Sequence, residues 1–271
     1  MEIKVNGKAI DYTLENEKTI SEIIVSLEQW ITGSGHRMSG LSIDGKTAGS
    51  SSLEDFLSRD IDSVNTLEII TSSNADLAAE SLVKILDNIN EFQTLKHEDK
   101  NSFLENWKQS PQANFTAESM PDLYSVLTGS FSGSGLNLNS AFSITEERLR
   151  EIKDPKAELE NLKPLFDETC TRLADLSLDV QTGKDARAAQ TIQLFSGITE
   201  KMLRLSSQLD IQGYLTEAKD TVNQIINELG DIIKELLNAY ERHDTVLVGD
   251  LAEYEACGKL QELYTAIKGD K

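Results

Sequence analysis

The chain has 271 residues, enough for two ordinary domains with separate cores. It carries 46 acidic against 26 basic residues, a formal charge of −20. Such a balance repels phosphate backbones and anionic membrane surfaces, which excludes nucleic acid as an expected partner.

Residues 3–14 place Ile3 and Val5 before the turn residues Asn6 and Gly7, after which Ile10, Tyr12 and Leu14 alternate with polar neighbours. This pattern predicts a β-hairpin with a period-two core face. Thr19 is positioned to cap a helix in which Ile20, Ile23, Ile24, Leu27, Trp30 and Ile31 recur at spacings of three and four. Gly33, Ser34 and Gly35 should end it. Leu41 and Ile43 lead into the turn signal Asp44-Gly45, Leu53 to Leu57 read as a short helical turn, and Leu67, Ile69 and Ile70 supply a last strand.

In order and spacing, residues 1–73 resemble the β-grasp fold of ubiquitin. The likeness rests on the Leu41, Ile43, Gly45, Lys46 segment, on Leu53-Glu54-Asp55-Phe56, on Ile61 and on Thr66-Leu67-Glu68-Ile69-Ile70. It implies one amphipathic helix covering a mixed sheet, and a module used for docking. Leu41, Ser42 and Ile70 become the candidate partner-binding positions. Ile70 keeps an apolar position of the family's binding patch, whereas Ser42 stands where that patch has isoleucine. The exposed Gly-Gly terminus of the carrier proteins in that family is missing, since Thr71-Ser72-Ser73-Asn74 runs on into helical sequence. A carrier role is therefore excluded.

Residues 74–128 read as connecting helices over Asp76–Lys96, Lys100–Lys108 and Met120–Thr128. Residues 129–154 read as a Gly/Ser/Asn-rich loop followed by a short helix, with GSFSGSGLNLNSAFS as the flexible part. From Pro155 the apolar residues fall into four near-heptad stripes: Leu159 to Val180, Ala188 to Leu209, Val222 to Tyr240, and Leu247 to Ile267 by way of Tyr254. Breaks are expected near Gly183, Gly213 and Asp244. Residues 155–271 are thus an antiparallel helical bundle of three or four helices. The fold class is α+β, a ubiquitin-like first domain followed by an all-α region.

Chemistry-bearing patterns are sparse. Gly33-Ser34-Gly35 and Gly133-Ser134-Gly135 lack the Lys-Ser/Thr ending of a phosphate-binding loop. No Gly-x-Ser-x-Gly occurs. Cys170 and Cys257 have no CxxC spacing and read as small buried hydrophobes outside any disulfide framework. The densest candidate is the acidic cluster of His243, Asp244, Asp250 and Glu253, but a di-iron bundle needs Glu-x-x-His on two helices, and that motif is absent.

The expectation is a non-enzymatic adaptor without cofactor or metal. Its first domain docks one protein, and its bundle binds a partner helix or self-associates. The alternative is a metal- or nucleotide-dependent enzyme with its site around His243. The N-terminus MEIKVNGKAIDY lacks the apolar core of a signal peptide, and no run approaches the roughly 18 apolar residues that cross a bilayer, so the expected location is cytoplasmic without membrane insertion.

Overall fold

The computed structural model describes residues 1–13, 17–49, 53–135 and 137–269. The expected strand residue Leu14 lies outside them. The chain divides into two compact units, Met1–Leu138 and Asn139–Lys271.

The first unit opens with β1 (Glu2–Val5) and β2 (Lys8–Ala9), joined by Asn6 and Gly7 at φ 48° and 77°. Two successive positive φ values match the right-handed twist of paired strands, and Asn and Gly reach them at the least cost. β3 (His36–Ile43) and β4 (Lys46–Thr47) repeat the device with Asp44 and Gly45. β5 (Thr66–Ser73) completes a mixed sheet of order β2-β1-β5-β3-β4, in which β1 runs parallel to β5 and the other pairs are antiparallel.

Across the sheet lies α1 (Ile20–Gly33), started by a reciprocal capping box between Thr19 and Glu22. Its Ile20, Ile23, Ile24, Leu27 and Ile31 bury against Ile3, Leu41, Ile43, Leu67 and Ile69. Trp30, expected in this stripe, is instead 57% exposed. Trp30 takes no part in the core that α1 shares with the sheet. The short helix α2 (Leu53–Leu57) adds Phe56 to the same core.

No linker follows the sheet. Ser73, the last residue of β5, is also the N-cap of α3 (Asn74–Thr94), and its hydroxyl accepts from the Asp76 N–H at 3.0 Å. α4 (Lys100–Lys108), α5 (Pro111–Ser119) and α6 (Pro121–Ser132) pack with α3 around Phe92, Phe103, Trp107 and Phe131, whose neighbouring ring centroids are 5.0–5.3 Å apart. The middle helices therefore form part of the first unit.

Residues 129–154, expected to begin as a flexible loop, are mostly helical. α6 continues to Ser132 because Phe131 is anchored in the aromatic cluster, and Gly133 ends it at φ 75°. α7 (Leu138–Lys153) then occupies most of the remainder.

In the second unit, α8 (Pro155–Asn161), α9 (Lys163–Gln181), α10 (Asp185–Ile211), α11 (Lys219–Glu241), α12 (Thr245–Asp250) and α13 (Cys257–Lys268) make four helical tracks among the described residues. The breaks fall at Gly183, Gly213 and His243, each in the left-handed region with φ 70°, 79° and 56°. One core joins the four stripes, including Leu173, Phe195, Leu229 and Leu260. Tyr254 leaves its stripe and is 70% exposed, because residues Leu251–Ala256 between α12 and α13 form a π-helical turn that rotates it outward.

Candidate functional site

Three places carry the chemistry of this chain, and the first is the outer face of the sheet. Leu41 pairs with Ile69 on the core side and is buried. Ser42, opposite Glu68, and Ile70, opposite Gly40, face the other way. A Cβ at Gly40 would stand 3.3 Å from Ile70 Cδ1, so the isoleucine lies over the glycine. Ile70 is 43% exposed, whereas Ser42 is buried between its neighbours. With the Glu2–Lys4 ion pair at 3.1 Å on β1, this face is mainly polar around one apolar spot. Val25 and Trp30 on α1 are also exposed.

The acidic residues around His243 serve as a helix cap or face solvent. His243 closes the turn after α11, and the Asp244 carboxylate accepts from the Leu247 N–H at 3.1 Å as the cap of α12. Asp250 and Glu253 sit on the exposed side of the following turns. Among the described residues no group of three or more His, Cys, Asp or Glu is placed to hold a metal ion.

The third place leaves no trace in the apolar pattern: a partly buried ionic cluster where α7 and α8 meet α10. Arg204 donates from Nε to Glu151 Oε2 and from Nη2 to Oε1, both at 2.9 Å, a two-bond fork. Arg148 reaches Glu151 at 3.4 Å. Lys201 lies 2.8 Å from Glu147 and 3.4 Å from Glu158, and Arg150 is 3.2 Å from Glu158. Glu151 is only 2% exposed. Burial pushes its carboxyl up to about 8, with Glu147 adding to the rise and Arg148 and Lys201 opposing it. Burial lowers Lys201, but Glu147, Glu151 and Glu158 outweigh it and hold this ammonium above its ordinary range. The arrangement ties three helices together.

The bundle also contains a covalent link that sequence spacing does not announce. Cys170 on α9 and Cys257 at the start of α13 form a disulfide with a Cα–Cα separation of 5.3 Å, which corrects the reading of both as simple hydrophobes. The two positions are 87 residues apart, and only the bundle brings them together.

Comparison with known proteins finds family matches over two separate stretches of the chain. Residues 1–73, ending at the last residue of β5, match a family model described as the TP0873 N-terminal domain. Residues 157–266, from α8 to α13, match a model described as a domain of unknown function, DUF8042. An uncharacterized protein of Treponema pallidum (strain Nichols) is 22% identical over 270 residues, covering 98% of this chain and 96% of the relative. No solved structure matches. Among the described residues no helix is long and apolar enough to cross a membrane.

Proposed function

We propose that this protein is a non-enzymatic adaptor in which a ubiquitin-like β-grasp module docks a protein partner and the helical bundle binds a partner helix or a second copy. The sheet order, with β1 and β5 parallel at its centre and α1 across one face, supports the β-grasp reading. The observation that carries the docking reading is the placement of Val25, Trp30 and Ile70, large apolar side chains left outside a core that is complete without them. Because Ser73 is both the end of β5 and the cap of α3, a partner held by the module is held to α3 without a flexible joint. The reading keeps the protein in the cytoplasm, where the one disulfide its two cysteines form has to be reversible rather than a permanent brace. The enzyme reading around His243 gains no support from residues that cap a helix or face solvent.

The test compares full-length protein with a Val25→Asp/Trp30→Asp variant and an Ile70→Asp variant, using affinity capture from native lysate and sedimentation velocity. The reading predicts a defined partner, or a self-associated species, that at least one variant loses while its circular dichroism is unchanged. A monomer that captures nothing, or a partner retained by both variants, would overturn docking through these residues.

A further inference from the structure

The stretch from α12 into α13 lies along α9, and two features fix its register. At one end Gly249 approaches Ser177 so closely that a Cβ there would stand 3.0 Å from the serine Cβ and Oγ, and the Ser177 hydroxyl donates to the Thr245 carbonyl at 3.2 Å. At the other end stands the Cys170–Cys257 bond. On α9 the two contact points are Ser177 and Cys170, seven residues apart, or about two α-helical turns. On the facing track they are Gly249 and Cys257, eight residues apart. The additional residue is absorbed by the π-helical turn over Leu251–Ala256, since an i→i+5 turn holds one residue more than an i→i+4 turn. In a regular α-helix, Ala256 would take the place opposite Cys170. The bulge and the disulfide are therefore one device, the first bringing Cys257 round to the sulfur that the second engages.

Both cysteines are half-buried against the bundle core. We propose that Cys170 and Cys257 are a reversible redox staple: the disulfide holds Leu251–Ala256 in its π-helical register on α9, and reduction releases that segment. The reductant is a low-molecular-weight thiol. Its thiolate attacks one protein sulfur, breaking the Cys170–Cys257 bond and forming a mixed disulfide. A second thiolate then attacks the external sulfur of that mixed disulfide, the reagent leaves as its own disulfide, and two electrons and two protons remain on the chain as two thiols. The oxidised form has Tyr254 turned outward and Cys257 tied to α9. In the reduced form the turn is free to return to α-helical hydrogen bonding, which rotates Tyr254 and everything between it and Cys257.

The experiment uses the full chain equilibrated in mixtures of reduced and oxidised glutathione, with maleimide trapping and intact mass, and with hydrogen exchange of peptides spanning residues 245–260. The staple predicts that both thiols appear together as the reduced fraction rises, and that exchange across 250–257 then speeds by about tenfold or more as local opening becomes easier. A Cys170→Ser/Cys257→Ser chain should exchange like the reduced wild type and ignore glutathione. If that variant does not fold, reduced wild-type protein supplies the same comparison. A bond that stays closed in every mixture, thiols that stay free in every mixture, or exchange across 250–257 that is the same in both forms would each overturn the proposal.

Discussion

Arg204→Met is the most informative single change in the second unit, because it removes one side of a buried fork while keeping most of the side-chain volume. Among the described residues, Glu151 would then keep Arg148, at 3.4 Å, and the charge of Lys201 as its cationic partners. Breaking a buried pair from one side leaves an uncompensated charge and costs about 3–5 kcal/mol. That cost depends on pH, with a sign fixed by Glu151. Its folded-state carboxyl is raised from 4.5 to about 8, so the folded chain takes up this proton more readily than the unfolded one. The stability it contributes is complete below about pH 4.5 and is lost as pH climbs through about 8. At about 1.36 kcal/mol for each pH unit that separates the folded from the unfolded value, the loss is on the order of a few kcal/mol with Arg204 in place.

Arg204→Met should therefore cost about 1 kcal/mol at about pH 5, where the carboxyl is protonated, and the full 3–5 kcal/mol or so at about pH 9. The double variant Arg204→Met/Glu151→Met should recover most of that loss and show a flatter profile across the same range. Urea unfolding followed by far-UV circular dichroism measures this. Both tryptophans, Trp30 and Trp107, lie in the first unit, so their fluorescence gives a separate trace for that unit. The reasoning fails if the single variant stays within about 1 kcal/mol of wild type at about pH 9, or if the double variant is as unstable as the single one.

Three further outcomes are expected. Reduction of the Cys170–Cys257 bond, which spans 87 residues, should lower the stability of the second unit by about 4–5 kcal/mol on chain entropy alone, read as a shift of the urea midpoint with and without reductant. Phe131→Ala should cost about 3–5 kcal/mol and move the tryptophan fluorescence midpoint, since Phe131 touches the rings of Phe92, Phe103 and Trp107. Gly249→Ala brings a Cβ to within 3.0 Å of Ser177 and should cost about 1–3 kcal/mol by thermal unfolding, with a Ser177→Gly second change restoring part of it.

What the sequence reveals and what it conceals follow from how each feature is written in residues. Asn6-Gly7 and Asp44-Gly45 announce their turns because few residues tolerate successive positive φ values, and Thr19 with Glu22 announces a helix start because capping demands those side chains at that spacing. α5 carries a legible start signal that an apolar stripe does not reveal: Ser110 accepts from the Ala113 N–H and Pro111 holds the first helical position. α7 is legible only as the short helix expected after the loop, and its full extent is hidden for a different reason. Its buried positions are Ala141, Thr145, Arg148, Glu151 and Ile152, which keep helical spacing but are written largely in polar residues that a hydrophobic pattern does not count. Such a face is stable only where another element supplies the opposite charges, and Lys201 and Arg204 on α10 lie some fifty residues away.

A longer separation, 87 residues, conceals the disulfide, and its presence changes what the cytoplasmic expectation entails. In a reducing compartment a bond between two half-buried cysteines persists only if its formation is regulated, whereas in an oxidising one it is a permanent brace worth several kcal/mol. The π-helical turn bears on the choice, because a brace needs only two cysteines within reach, and Ala256 on an unbroken helix would have offered a position for one. A chain that instead carries an irregular turn directly before its second cysteine keeps a segment that can shift by one residue when the bond opens. Location and mechanism are therefore linked: reversibility under glutathione and residence in the cytoplasm stand together.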